Sequence, residues 1–311
     1  MSSSNNDIRP LVVVWCLTYN QVNYIKDALN GFLMQKTNFN FEVVVHDDAS
    51  NDGTSDIIKE YAKKNPNIII PYIEQNNRWK KGGLPHIIEL MNTKHRRAKY
   101  IAFCEGDDYW TNPYKLQMQV DFLESNPKYS MCFHSAYKKY ECQTTSWINC
   151  ENIQDKDYDA NDLFVNWTVP TASILCRKDA MDFYAGIKDA NRIQNYDIFI
   201  ILCCAMVGNI RGMHEQMSVY RIQGQGLSYN NKALIRTVMN NPEHFMCLKR
   251  NFPIVNKYCV NDTISKTFFE RALIQESLNA KIIDYLQSLR FNYRRFFKMA
   301  FKVIFKKVVD V

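Results

Sequence analysis

The chain has 311 residues, 46% of them hydrophobic, with 10 Gly, 9 Pro and a formal net charge of +7. That composition supports a substantial core, in one large domain with an extension or in two domains, and the chain shows no internal repeat and no long low-complexity segment. No apolar run reaches membrane-spanning length, no charged-then-apolar signal opens the chain, and the cysteines lack paired metal-ligand spacing, so buried thiols in a reducing cytoplasm are expected.

After a short polar start, Met1 to Asp7, the apolar run Leu11 to Cys16 predicts a buried strand that breaks at Leu17-Thr18-Tyr19-Asn20. Ile25, Ala28, Leu29 and Phe32 follow at helical spacing. Phe41 to Val45 is a second strand, ending in His46-Asp47-Asp48, and a turn through Asn51-Asp52-Gly53 leads to a helix capped by Thr54 or Ser55. Ile68 to Ile70 and Tyr100 to Phe103 read as further strands. Strands alternating with helices imply a parallel sheet of βαβ units, in which ligands bind beyond the carboxyl ends of the strands. Pro113 opens a helix with Leu116, Val120 and Leu123 facing inward, and strands are expected at Ser130 to Tyr137 and Ala172 to Cys176. An apolar helix runs from Asp197 through Val207, a strand lies within Ile210 to Tyr220, and only helices follow residue 230.

The most informative stretch is Glu105-Gly106-Asp107-Asp108-Tyr109-Trp110, directly after Tyr100 to Cys104. Three carboxylates at the end of a buried strand repel one another and make sense chiefly with a positive charge among them. Hard divalent cations such as Mg²⁺ and Mn²⁺ prefer carboxylate oxygens and leave positions for phosphate oxygens. A solvated acidic turn is the plain alternative for this cluster alone. Two further polar clusters, Thr18-Tyr19-Asn20 and Asp47-Asp48, fall at strand ends on the same expected rim.

The order VVVWCLTYN, VVVHDDASNDGT and YIAFCEGDDYWTNPYKLQMQVDFLESNP closely resembles family 2 glycosyltransferases of the GT-A fold, over roughly residues 9 to 228. It is most similar to the bacterial branch that builds surface polysaccharides. The resemblance implies an α/β architecture, a mixed and mainly parallel sheet flanked by helices, in a catalytic domain at 1–230, with a helical extension at 231–311. It implies an inverting transfer from a nucleotide-diphosphate donor, expected to be a UDP-sugar, to a glycan or lipid-linked acceptor, with Mn²⁺ or Mg²⁺. Thr18 and Tyr19 match the residues lining the base pocket. Asp48 matches the acceptor of the uracil N–H, with Asp47 supporting the pocket wall.

Glu105, Asp107 and Asp108 match the metal-binding motif, Asp107 also meeting the ribose, although Glu stands at the motif's first position. Asp197 matches the catalytic base, with Tyr196 where Glu is usual. Gln223 stands near the place of a metal- or diphosphate-binding His, and Arg221 is placed as a bidentate partner of the diphosphate. His214 reads as a core or surface histidine, and the basic loop Arg78-Trp79-Lys80-Lys81 is assigned no role.

From Leu289 onward, Phe297, Phe301, Phe305 and Val308 recur at helical spacing among Arg294, Arg295, Lys298, Lys302, Lys306 and Lys307. Such a helix suits the surface of an anionic membrane, and implies a peripheral enzyme at the inner face of the cell membrane. A helix docked on the catalytic domain is the alternative. No nucleic-acid motif accompanies the charge, and homo-oligomerisation is left open. Two other functions compete: a nucleotide-binding scaffold component with catalysis lost, kept alive by Glu105 and Gln223, and a nicotinamide-dependent dehydrogenase. The dehydrogenase is disfavoured because Leu17-Thr18-Tyr19-Asn20 replaces a Gly-rich phosphate loop.

Overall fold

The computed structural model describes residues 10–78, 89–90, 98–141, 148–150, 153–166, 169–223 and 231–309. The chain forms two compact units, one of Met1–Ala185 with Ile200–Gln223, the other of Gly186–Phe199 with Gly224–Val311.

In the first unit, β1 (Val12–Thr18), α1 (Ile25–Leu33), β2 (Phe41–Asp47), α2 (Thr54–Lys64), β3 (Ile69–Ile73) and β4 (Tyr100–Phe103) follow in chain order. The continuous apolar runs become parallel central strands because both of their faces are covered. Val12, Val13, Val14 and Cys16 are fully buried, and so are Ile25, Ala28, Leu29 and Phe32 on the inner stripe of α1. Each of the Val, Ile, Leu and Phe side chains among them contributes about 1.5–3 kcal/mol by leaving water. The start of α2 departs from expectation. Neither Thr54 nor Ser55 caps it; Asp52 accepts from the Thr54 N–H at 3.0 Å, and Thr54 becomes the first helical residue.

Next come β5 (Tyr109–Trp110), α3 (Lys115–Ser125), β6 (Tyr129–Tyr140), β7 (Ile148–Cys150), β8 (Asp157–Tyr158), α4 (Ala160–Asn166) and β9 (Leu175–Arg177). The strand expected from Ala172 starts late, because Thr171–Ser173 is a 3₁₀ turn in which Ser173 donates twice to the Pro170 carbonyl. After α5 (Asp179–Asp182) and α6 (Tyr196–Val207), β10 (Asn209–Ile222) returns to the sheet. The strand order is β3-β2-β1-β4-β9-β6-β10-β5, with β7 beside β6 and β8 beside β10. β3, β2, β1 and β4 are mutually parallel, whereas β9 runs antiparallel to both β4 and β6. The short β5 pairs antiparallel with β10, Trp110 opposite Ser218 and Tyr109 opposite Val219, which returns the chain after the acidic turn to the far edge. Gly31 on α1 permits this, since a Cβ there would sit 2.9 Å from the Trp110 nitrogen. The thiols of Cys16, Cys104, Cys132, Cys176, Cys203, Cys204 and Cys247 are buried, and burial pushes those of Cys16 and Cys104 upward.

The second unit contains α7 (Asn231–Asn251), α8 (Lys257–Ile274), α9 (Leu278–Phe291) and α10 (Tyr293–Val309). Residues 186–199 group with these helices. Asn251 binds both backbone groups of Lys188, His244 accepts from the Gln194 N–H at 3.3 Å, and Arg250 pairs with Asp189. Within the bundle, Arg271 forks onto both oxygens of Asp284 at 2.9 and 2.7 Å and reaches Glu243 at 2.8 Å, tying α7, α8 and α9 together. Ser265 and Ser288 exchange hydrogen bonds across α8 and α9.

Candidate active site

The last residues of β1 hold both acidic motifs. On one side Thr18 lies opposite Asp47 in register, and its carbonyl accepts from the Asp48 N–H at 3.0 Å. On the other side the Trp15 carbonyl accepts from Cys104, and the Leu17 carbonyl from Gly106 at 2.9 Å. The pairing of β1 with β4 therefore continues past the strand into the acidic turn. Thr18, Asp48, Glu105, Asp107 and Asp108 share one edge of the sheet, as the spacing predicted. Tyr19 is 40% exposed on that edge.

At the end of β2 the carboxylates are met by protein. Asp47 is fully buried and accepts from the Ser50 N–H, the Ser50 hydroxyl and the Ser55 hydroxyl. Its donors hold the following loop, where Ala49 adopts φ 63°, a left-handed conformation that costs a non-glycine residue about 1–2 kcal/mol. Asn20 ties this loop to the exit of β1, donating its N–H to Ser50 and accepting from the Asn51 N–H. Asp48 accepts from the Arg78 N–H at 2.6 Å, and the Asn77 side chain donates to its carbonyl. Arg78 also reaches Glu74 at 3.4 Å; Trp79, Lys80 and Lys81 lie outside the described residues.

The turn after β4 is built differently. Gly106 packs so tightly that a Cβ would stand 2.5 Å from Gln21 Oε1 and 2.7 Å from Thr18 Oγ1. Asp108 is 1% exposed, and its Oδ1 accepts from the Arg221 N–H at 2.8 Å. Burial raises its carboxyl well above the usual range, and repulsion from Asp107 and Glu105 raises it further. Burial also raises Asp107, against the opposing pull of Gln223, whose Nε2 donates to Oδ2 at 2.6 Å. The other oxygen of Asp107, Oδ1, is buried without a hydrogen-bond partner among the described residues. Glu105 is exposed. The same negative field, after burial, acts on the Cys16 thiol beneath the cluster.

Arg221 serves this turn. Its guanidinium is inaccessible to solvent, between the rings of Tyr24 and Tyr109, with Nη2 at 2.6 Å from Asp27, Nε at 2.8 Å from Glu141 and Nη1 donating to the Asp107 carbonyl at 2.7 Å. The fork expected at a diphosphate is thus filled by protein groups, and the residue clamps the turn instead.

This donor set fits a divalent cation. It offers oxygen atoms only, one of them buried and unsatisfied, in a place where the carboxylates destabilise one another. A separate group, Asp155, His214 and Glu215, has ligand atoms within 4.8 Å of one another at the bulge of β10. It is largely exposed, and His214 is hydrogen-bonded to Asp155 at 2.6 Å, which raises its pKa. Asp197 belongs to the second unit, in the first turn of α6, with its Oδ1 accepting from the Ile198 N–H at 2.8 Å.

A model of the family described as glycosyl transferase family 2 matches residues 14–183, which include both acidic motifs. The chain belongs to glycosyl transferase family 2. A putative teichuronic acid biosynthesis glycosyltransferase, TuaG of Bacillus subtilis (strain 168), is 31% identical over 224 residues, covering 71% of this chain and 83% of TuaG. An uncharacterized protein of Mycobacterium tuberculosis (strain ATCC 25618 / H37Rv) is 34% identical over 213 residues, covering 68% of this chain but only 58% of the mycobacterial protein. Among solved structures, Staphylococcus aureus TarS 1-349 in complex with UDP-GlcNAc aligns at a TM-score of 0.61 and 14% identity, over 90% of this chain and 81% of that one. The mannosyltransferase PcManGT of Pyrobaculum calidifontis, in complex with GDP-Man and Mn²⁺, aligns at 0.52 and 16% identity, over 94% and 83%. At such identities the likeness shows the fold, which is the GT-A glycosyltransferase fold.

In this family 2 chain, sequence reasoning passed over Gly106, Gln21, Asp27 and Glu141. A glycine inside an acidic run was the available signal for the first. The partners of Arg221 had none, being drawn from α1 and the end of β6.

Proposed function

We propose that this chain is an inverting, metal-dependent glycosyltransferase that moves a sugar from a UDP-sugar to a hydroxyl of a glycan or lipid-linked acceptor in cell-surface polysaccharide synthesis. The observation that carries this reading is the edge at β1, where adjacent carbonyls tether the buried carboxylate Asp48 and the turn bearing Asp107, one oxygen of which is buried without a donor, and Asp108. The printed description of TuaG supports a surface polymer, and the TarS complex supports a UDP-sugar.

Thr18, Tyr19 and Asp48 line the base pocket, Asp48 accepting from the imide N–H of uracil while Asp47 holds the wall. Asp107 and Asp108, with Glu105, hold Mn²⁺ or Mg²⁺, and Asp107 reaches the ribose. When bound, the cation neutralises the charge that develops on the departing diphosphate. Asp197 accepts the proton of the acceptor hydroxyl as that oxygen bonds to the anomeric carbon. The bond from that carbon to the phosphate oxygen breaks with its electron pair on the diphosphate, and a single displacement inverts the centre. The helical unit brings the enzyme to the inner face of the cell membrane through the basic helix α10.

The test is UDP or GDP release by the purified full chain from a panel of UDP- and GDP-sugars, with and without EDTA. Release from a UDP-sugar that EDTA abolishes is the expected result. Asp197→Asn should lower it by about 10²–10⁴-fold while UDP binding persists. UDP binding with no release across the panel would instead support a nucleotide-binding scaffold.

A further inference from the structure

The helical unit carries an apolar slot that sugar transfer does not use. It measures about 180 Å³, opens to the surface, and is lined by Phe269 of α8, Tyr285 of α9 and Phe296, Ala300 and Val303 of α10. Three rings wall it, with centroids 5.3 Å apart for Phe269 and Tyr285 and 5.5 Å for Phe269 and Phe296. Apolar surface gains by exchanging water for hydrocarbon, and among these lining side chains the Tyr285 hydroxyl is the single polar group. Hydrocarbon therefore suits the slot better than water does.

The surroundings specify which hydrocarbon. On α10, Tyr293, Phe297 and Phe301 form the next stripe round the helix from Phe296 and Ala300, and are 57%, 62% and 61% exposed. Arg294, Lys298 and Lys302 follow one residue on, about 100° further round. On α9, Leu278, Ile282 and Leu286 are exposed at helical spacing. Residues 278–309 contain eight Lys or Arg and one acid, Asp284, which is buried against Arg271. An apolar slot, an exposed aromatic stripe and a cationic row in that order match the acyl boundary and headgroups of an anionic leaflet. Among the described residues, no helix is long and apolar enough to cross a membrane, so the match is to a surface-lying helix.

We infer that this slot seats one acyl chain of an anionic phospholipid while Arg294, Lys298 and Lys302 meet headgroup phosphates of the same leaflet. The inference rests on the membrane contact in the proposed function and adds a defined lipid-binding site to it.

Two probes separate the two ideas: vesicles of phosphatidylcholine with or without phosphatidylglycerol, and dihexanoyl-phosphatidylglycerol kept below its micelle concentration. The intact protein should sediment with phosphatidylglycerol vesicles and not with phosphatidylcholine alone, and Lys298→Gln with Lys302→Gln should weaken that. It should also bind the short-chain lipid, and Ala300→Trp, which fills the slot, should weaken that binding by about tenfold or more. Val303→Trp fills the slot from another position, should Ala300→Trp lose its helical circular-dichroism spectrum. If the parent ignores anionic vesicles, the membrane contact and the slot's role both fall. If the parent sediments but folded slot-filled variants bind the short-chain lipid as it does, the slot assignment alone is overturned. Capture of a soluble apolar peptide in preference to the lipid would also overturn it.

Discussion

Asp47 at the end of β2 and Asp107 at the turn after β4 flank the same strand, and their surroundings are opposite. Asp47 receives three donors from Ser50 and Ser55 and is complete as protein. Asp107 receives Gln223 on one oxygen, keeps the other buried and unsatisfied, and stands beside a second buried carboxyl that repels it. A buried polar atom without a partner costs about 1–3 kcal/mol, so a fold keeps one where something else completes it. The contrast teaches that acidity at a strand end does not mark a ligand site. What sets these two carboxylates apart is the shortage of donors at Asp107.

The largest expected effect comes from removing the repulsion itself. Asp108→Asn keeps an oxygen for the Arg221 N–H but removes a charge held in a buried place. Transfer should fall by on the order of 10³-fold, while the metal-free protein should melt at a higher temperature than the parent. The pH dependence has a definite sign. A carboxyl raised in the fold binds its proton more tightly there than in the unfolded chain, so its contribution is full below the ordinary value of about 4 and is lost as pH rises through the raised one. The advantage of Asp108→Asn should therefore grow with pH across that window and shrink when Mn²⁺ is added. Calorimetry at several pH values reads this directly. A variant no more stable than the parent at any pH would erase the distinction between the corners.

A smaller effect tests how the turn is placed. In Gly106→Ala the new methyl would lie 2.8 Å from Thr18 Cβ, part of a stiff β-branched side chain at the end of the central strand. Gln21 can swing away; Thr18 cannot, so the turn must move. A displacement near 1 Å at a reacting site costs about 10²-fold in rate. We expect that loss in kcat, together with weaker metal activation and modest destabilisation. Unchanged metal activation would show that the turn tolerates the shift.

How much of this was legible in the sequence follows from the range of each interaction. The runs at β1, β2 and β4 announce buried parallel strands because each is continuous and rich in β-branched or aromatic residues. The acidic motifs therefore fall on one edge without any knowledge of pairing. Arg221 could not be read that way. Its partners Asp27 and Glu141 come from α1 and the end of β6, and whether a guanidinium faces a phosphate or two carboxylates is decided by packing. The two-residue strand β5 was invisible for the same reason, since its pairing with β10 spans more than a hundred residues. Residues 186–199 join the helical unit through side-chain contacts to Asn251, His244 and Arg250 that leave no periodic trace.

The smallest effect belongs to the complete corner, and its smallness is the point. Ser55→Ala removes one hydroxyl from Asp47 and leaves the Ser50 N–H and hydroxyl in place. A hydrogen bond to a charged group contributes about 1.5–3 kcal/mol, and the lower end is expected here because the remaining donors can tighten. Chemical denaturation should register that loss. Activity and the Mn²⁺ concentration for half-maximal rate should change by less than about threefold, since Asp47 supports the loop without meeting the cation. A large rise in the metal requirement, with stability unaltered, would instead place Asp47 among the ligand-binding carboxylates, and donor shortage would no longer separate the two corners.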